Sequence, residues 1–307
     1  MSDSIDLINS INYEFTLISS IIITVVGFIG NSITIFIITR PEMRNLSIFR
    51  YIAISMVNDY LVLITMWLTV LPDTFQNNSI SCKWSNYLSY LFYNFSGWIV
   101  VVSLTDRLIT VKYPMKYKFR NHFKFQATLL LVILILITFL TFPYYVYYDI
   151  YPNQTVCTTS EPHIQFYITL SDALVGIIIP FFLMIILTSI IGHCLIAKRK
   201  NILARKEFKK EIRLVKMMIS ISVFFLVCNL PFFIQMLVQD IMSFDDPNLF
   251  ISNYVFDFIY FVTNQLNYVY NSFGFFVCLF SNKVFRNYFC SKSFFIKRLK
   301  KSTKSST

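Results

Sequence analysis

Two sets of ionisable residues stand where charge is costly. Asp106 and Arg107 are adjacent in "SLTDRLITVKYP", directly after a stretch from Trp84 to Thr105 that holds no Asp, Glu, Lys or Arg. Asp59 is isolated among apolar neighbours in "AISMVNDYLVL". In hydrocarbon such groups must be paired, must hold a cation, or, for a carboxyl, must be protonated and hydrogen-bonded. The chemistry on offer is therefore switching and ion binding. Catalysis finds no footing: His122, His163 and His193 are scattered, with neither an HExxH pair nor a nucleophile elbow. An enzyme is not expected.

Composition sets the elements that position these residues. The chain has 307 residues, 56% hydrophobic and 14% charged, whereas a soluble domain carries about 25% charged residues. Seven apolar runs (15–39, 51–71, 84–105, 125–148, 164–197, 217–239 and 258–282, here spans 1 to 7) are long enough to cross a bilayer core of roughly 30 Å. The start, "MSDSIDLINS", lacks the basic region of a signal peptide, so span 1 is expected to be retained. The expected fold is an all-α membrane protein. It has an extracellular N-terminus at 1–14, a seven-helix transmembrane bundle at 15–282, and a short cytoplasmic amphipathic helix with a basic tail at 283–307.

Of the 27 Lys and Arg, 26 fall in the joints after spans 1, 3 and 5 and in the tail, and Lys83 is the exception. The positive-inside rule makes those joints cytoplasmic and leaves the N-terminus outside. The net charge of +11 is then a topological signal. Nucleic acid is not an expected partner, because no basic patch lies elsewhere. Acidic residues crowd the outer side, with Asp172, Asp240 and Asp257 near the helix mouths. They are either solvated rim residues or an electrostatic funnel for a cationic ligand.

Only Cys82 and Cys157 of the six cysteines share the outer, oxidising face, which makes a Cys82–Cys157 bridge the natural pairing. Asn77-Asn78-Ser79 and Asn153-Gln154-Thr155 are glycosylation sequons in outer loops. Cys290, in a basic aromatic segment, is a candidate for S-palmitoylation.

Further landmarks follow in order: "GFIGNSI" in span 1, Asp59 in span 2, and Cys82 25 residues before Arg107. "DRLITVKYPMKY" comes next, then Pro180 in span 5, "FFLVCNLP" in span 6 and "FSNKVFRNYF" after span 7. Together they make the chain, over roughly 15–289, resemble the rhodopsin-like (class A) G-protein-coupled receptors. The resemblance implies an activation lock in which Arg107 bridges Asp106 and Glu211. Glu211, 20 residues before Pro231, takes the place of the family's acid at the foot of span 6. An agonist would swing span 6 outward, free Arg107 and admit a heterotrimeric G protein, with arrestin as a further partner. Asp59, Ser96, Asn271 and Ser272 resemble the family's allosteric sodium site, and no other cofactor is implied. The alternative for Asp59 is a protonated carboxyl bonded to Asn31 or Asn271. Pro180 and Pro231 are the expected kinks, and Phe225 keeps the aromatic of span 6. The chain also departs from the family: Asn229 replaces the switch tryptophan, Gly97 the aliphatic partner of Phe225, Ile133 the tryptophan of span 4, and the Asn-Pro-x-x-Tyr of span 7 is unrecognisable.

Elimination narrows the ligand. Ser89 stands where amine receptors of the family carry an aspartate, and no lysine lies between Asp257 and Asn282 to hold retinal. The chain resembles peptide receptors instead, including invertebrate FMRFamide-like ones, and the expected ligand is a neuropeptide whose Arg pairs with Asp172, Asp240 or Asp257. A chemosensory receptor of the same fold for a small molecule is the alternative. A transporter or channel is the alternative of another class, though it would want paired repeats or more membrane carboxylates than Asp59.

Overall fold

The computed structural model describes residues 2–40, 47–71, 78–113, 123–150, 157–159, 161–198, 205–245 and 254–290. Span 1 lies in helix Ser2–Ile38, span 2 in Ser47–Val70, span 3 in Ser79–Lys112 and span 4 in Phe123–Tyr147. Span 5 runs as Pro162–Asp172, a π-helical stretch Ala173–Ile178, and Ile179–Lys198. Span 6 is Arg205–Asp245, span 7 is Tyr254–Ser281, and a short helix Lys283–Cys290 follows. Helix 1 thus begins well before the expected span, running through the residues expected as an outer N-terminus.

Spans 1 to 6 are each long and apolar enough to cross a membrane. Span 7 is a helix of 28 residues but is more polar, and the polarity faces inward. Gln265, Asn267, Asn271 and Ser272 are buried, while Phe258, Ile259, Val262 and Phe280 are exposed. Span 4 shows the opposite extreme, with Leu131, Val132, Leu136 and Phe139 turned outward. Hydrocarbon offers no hydrophobic gain for helix association, so small residues and interhelical hydrogen bonds hold the bundle together. At Gly27 an added Cβ would lie 2.5 Å from Leu63 Cδ1 and 2.9 Å from Ser272 Oγ, so only glycine lets span 1 approach spans 2 and 7 this closely.

Proline chemistry explains the packing of span 5 on span 3. In the π register the amide of Ile179 bonds to Leu174 O, so Val175 O would next look to residue 180. Pro180 has no N–H to give. The indole of Trp98, on span 3, donates to Val175 O instead at 2.9 Å. On the outer side, Cys82 and Cys157 form the expected disulfide, with Cα atoms 5.7 Å apart. It ties the head of span 3 to a hairpin in which β1 (Tyr148–Asp149) pairs antiparallel with β2 (Thr158–Thr159). Lys83, the exceptional basic residue, pairs with Asp149 at 3.1 Å. A hydrogen bond from Ser79 is the largest of the contacts that hold the Asp149 carboxyl below the usual carboxylate range.

Candidate functional site

An outer cavity of about 500 Å³ opens between spans 1, 2, 3, 6 and 7. That volume suits a small ligand or the end of a larger one. Its wall combines tyrosines, among them Tyr90, Tyr93, Tyr260 and Tyr268, with neutral polar groups such as Thr16 and Asn267. Ser89, also in the wall, donates to Thr65 O at 3.3 Å. Tyr90 is fixed by stacking on Tyr144 of span 4, ring centroids 3.9 Å apart.

Tyr93 connects this cavity to the core of span 6. Its hydroxyl donates to Asn229 Oδ1 at 2.8 Å, and the Asn229 amide donates to Phe225 O one turn away. Asn229 is fully buried two residues inward of Pro231. The residue that replaces the family's switch tryptophan is therefore a hydrogen-bonded tie between spans 3 and 6. Phe225 lies edge-on to Tyr270 of span 7 at 5.2 Å. Gly97 has a packing reason as well: a Cβ there would meet Phe225 Cζ and Gly176 O, both at 3.1 Å.

Of the three expected rim acids, Asp172 is placed differently. It is 4% exposed and accepts a 2.5 Å hydrogen bond from Asn94 of span 3, so it is a buried strut between spans 3 and 5. The π-helical stretch that follows it adds a residue to the turn. That shifts the facing of everything before it by about 100°. Asp240 takes a hydrogen bond from Thr169 of span 5. Asp257 is placed by its backbone alone, in the first turn of span 7. Neither Asp172 nor Asp240 is among the described residues of the cavity wall.

Asp59 is 2% exposed and lines a separate inner cavity of about 40 Å³ with Ser103, Met218, Tyr270 and Gly274. Ser96 donates to Asn271 Oδ1 at 3.4 Å and accepts from Asn58 at 2.7 Å. Asn31 donates to Asn271 O at 3.1 Å. Asp59 Oδ1 finds no partner among the described residues. An orphaned carboxylate oxygen in a cavity that the hydroxyl residues Ser55 and Ser103 also line is chemistry that suits a hard cation. Ser272 turns the other way, donating to Tyr268 O within its own helix. Asn58, which joins spans 2 and 3, escaped the sequence reading. Its signal was its place beside Asp59 in a run otherwise free of amides.

The inner end of span 3 is buried against its neighbours. Asp106 and Arg107 are 6% and 3% exposed. One turn outward, Ser103 Oγ lies 4.0 Å from Met218 Sδ of span 6, and Asn282 Nδ2 lies 3.4 Å from the neighbouring Met217 Sδ. Counting inward at 1.5 Å per residue, Arg107 is about 6 Å beyond Ser103 and Glu211 about 10 Å beyond Met218. The axial offset of about 4 Å is within the length of an arginine side chain. Glu211 is described by its backbone alone, as is Cys290 in the last helix, and Asn77 and Asn153 lie outside the described residues.

The sequence of residues 30–279 matches the 7 transmembrane receptor (rhodopsin family). Apelin receptor B of Danio rerio is 24% identical over 239 residues, 72% of this chain and 66% of that protein. G-protein coupled receptor 65 of Homo sapiens is 25% identical over 197 residues, 60% of this chain and 57% of that protein. The chain thus spans somewhat under two thirds of the length of these relatives. With the family matched over most of its length and its helices arranged as described, this chain belongs to the rhodopsin family of seven-transmembrane receptors, multi-pass proteins of the plasma membrane.

Proposed function

We propose that the protein is a cell-surface receptor with its N-terminus outside, which passes the arrival of an extracellular peptide to a heterotrimeric G protein by outward movement of span 6. The observation that carries this reading is one connected path. Tyr93 in the outer cavity is bonded to Asn229, Asn229 lies two residues from Pro231, and the inner half of span 6 meets span 3 where Met218 lies against Ser103, one turn from Arg107. A ligand that favours a different position of Tyr93 biases a two-state element that the G protein biases from the other side. Asp106, Arg107 and Glu211 form the lock at that inner end, and Asp59, Ser96 and Asn271 hold a sodium ion that steadies the closed state. A peptide is the ligand class carried over from the sequence, and the relative in Danio rerio is by name an apelin receptor.

Expression with a promiscuous G protein, reading calcium against a peptide library, tests the proposal. Responses to a small set of related peptides support it. Silence to peptides with responses to volatiles or lipids selects the second reading, a chemosensory receptor. The cavity volume favours that reading, since about 500 Å³ holds a whole small molecule.

A further inference from the structure

Asp172 and Asp240 are engaged with neighbouring helices, and the described wall of the outer cavity has a chemistry of its own. Among the described residues of its wall none carries a charge. Asp172 is turned into the helix 3–helix 5 contact, Asp240 is engaged with Thr169, and Asp59 belongs to the inner cavity. The wall holds amides and hydroxyls instead, including Asn12, Thr16, Asn264 and Asn267, beside tyrosine rings. Two of these polar groups have unmet capacity. Asn267 is 3% exposed and Thr16 9%, and neither Asn267 Oδ1 nor Thr16 Oγ1 has a hydrogen-bond partner among the described residues. A native structure seldom leaves such atoms orphaned without a ligand, ion or water to meet them. The asparagine amide turns easily about its last torsion, so its oxygen and nitrogen are both available to an occupant.

We propose that this cavity takes a neutral amide: an uncharged group that pairs reciprocally with the Asn267 amide, is met by Thr16 and lies against the tyrosine rings. The proposal rests on the receptor reading and specifies what its site accepts. An ammonium, guanidinium or carboxylate buried here would lose its hydration with no opposite charge in the described wall, which disfavours it strongly. A neutral amide both donates and accepts, as the wall does, and the rings supply contact for an apolar or aromatic body. For a peptide ligand, the inserted part is then a carboxamide or a neutral side chain rather than a charged terminus or an arginine.

The test uses the full-length receptor in detergent and three probes of one shape: phenylacetamide, phenethylamine and phenylacetate, each at 10 mM. Thermal unfolding reports binding without any G protein. A probe at about ten times its Kd should raise Tm by about 2–4 °C. We expect phenylacetamide to do so and the charged pair to give less than half that shift. Asn267→Leu should abolish the amide's shift, and Asn267→Asp should turn the preference toward phenethylamine. If either variant fails to fold, Thr16→Val with the wild-type ranking decides. A larger shift from the amine or the acid overturns the proposal, as does no shift from any probe. An amide shift that survives both Asn267→Leu and Thr16→Val overturns it as well. Because the readout needs no signal, an amide that binds while cells stay silent to every ligand would sink the receptor reading and leave this one standing.

Discussion

Replacing Tyr93 by Phe removes one hydroxyl and little else. The ring keeps its stacking on Phe233, at 5.8 Å between centroids, and its place in the cavity wall. What is lost is the donor to Asn229 Oδ1, in a position with no exposure to water. Leaving a buried acceptor unsatisfied costs about 1–3 kcal/mol in whichever arrangement held the bond. The bond is present in the arrangement that buries Arg107, which the proposed function takes as the resting state, and Asn229 lies on the inner side of Pro231. If the swing of span 6 carries the Asn229 amide away from Tyr93, the open state lacks the bond already and loses nothing. The closed-to-open equilibrium then shifts by the same amount, roughly 5- to 150-fold. Ligand-independent signalling, normalised to surface expression, should rise at least about five-fold. Asn229→Leu should do the same, and the double variant should add little, because both delete one interaction. A Tyr93→Phe receptor that unfolds at a lower temperature but has unchanged basal signalling would refute the reasoning, since the bond would then persist in both states.

Gly176→Ala puts a methyl 2.1 Å from Asn94 Oδ1, whose side chain is held by Asp172, so it should cost about 1–3 kcal/mol. The measurement is a lowered Tm, which Gly192→Ala, with open space around it, should not show. Asp59→Asn removes the carboxylate of the inner cavity and should abolish the difference in Tm between sodium and a bulky organic cation. Equal sodium dependence in wild type and variant would leave the ion without a site there. Glu211→Ala should raise basal signalling if it shares Arg107 in the closed state, and unchanged basal output would count against the lock. The pair Lys83–Asp149 is partly exposed, and Asp149→Asn should cost under about 1 kcal/mol. The Asp149 carboxyl is held below its ordinary value, so this small contribution is complete above about pH 4 and lost only on further acidification. Unfolding curves of wild type and variant should therefore keep a constant separation from pH 5 to 8.

Hydropathy located the spans but not the helix ends. Spans 3 and 6 extend as helices to Ser79–Lys112 and Arg205–Asp245, well past the apolar runs, because intrahelical hydrogen bonds continue in water where the apolar signal stops. The disulfide was legible because topology left only two cysteines on one side. Asp172 was misread as a rim residue because an apolar run does not say which way each residue faces, and the π stretch behind it changes that facing. Asn229 was legible as a loss, the missing tryptophan. Its gain was not, since nothing in "FFLVCNLP" says that a tyrosine of span 3 lies within 2.8 Å.

Several ties between helices share one short segment, of which the sequence reading had singled out Ser96 alone. Tyr93 bonds to span 6, Asn94 to span 5, Ser96 to spans 2 and 7, and Trp98 to the free carbonyl of span 5. All lie within six residues of span 3, about 8 Å of helix from first to last. Interhelical hydrogen bonds in membrane proteins average about 0.6 kcal/mol, so these ties together supply roughly 2–3 kcal/mol. That is the size of the coupling energies that separate two receptor states. A rearrangement of the helices around this segment must break these bonds. Stability and switching are then one quantity here. Substitutions from Tyr93 to Trp98 should move Tm and basal signalling together, whereas lipid-facing substitutions of equal size on span 4, such as Phe139→Ala, should leave both unchanged.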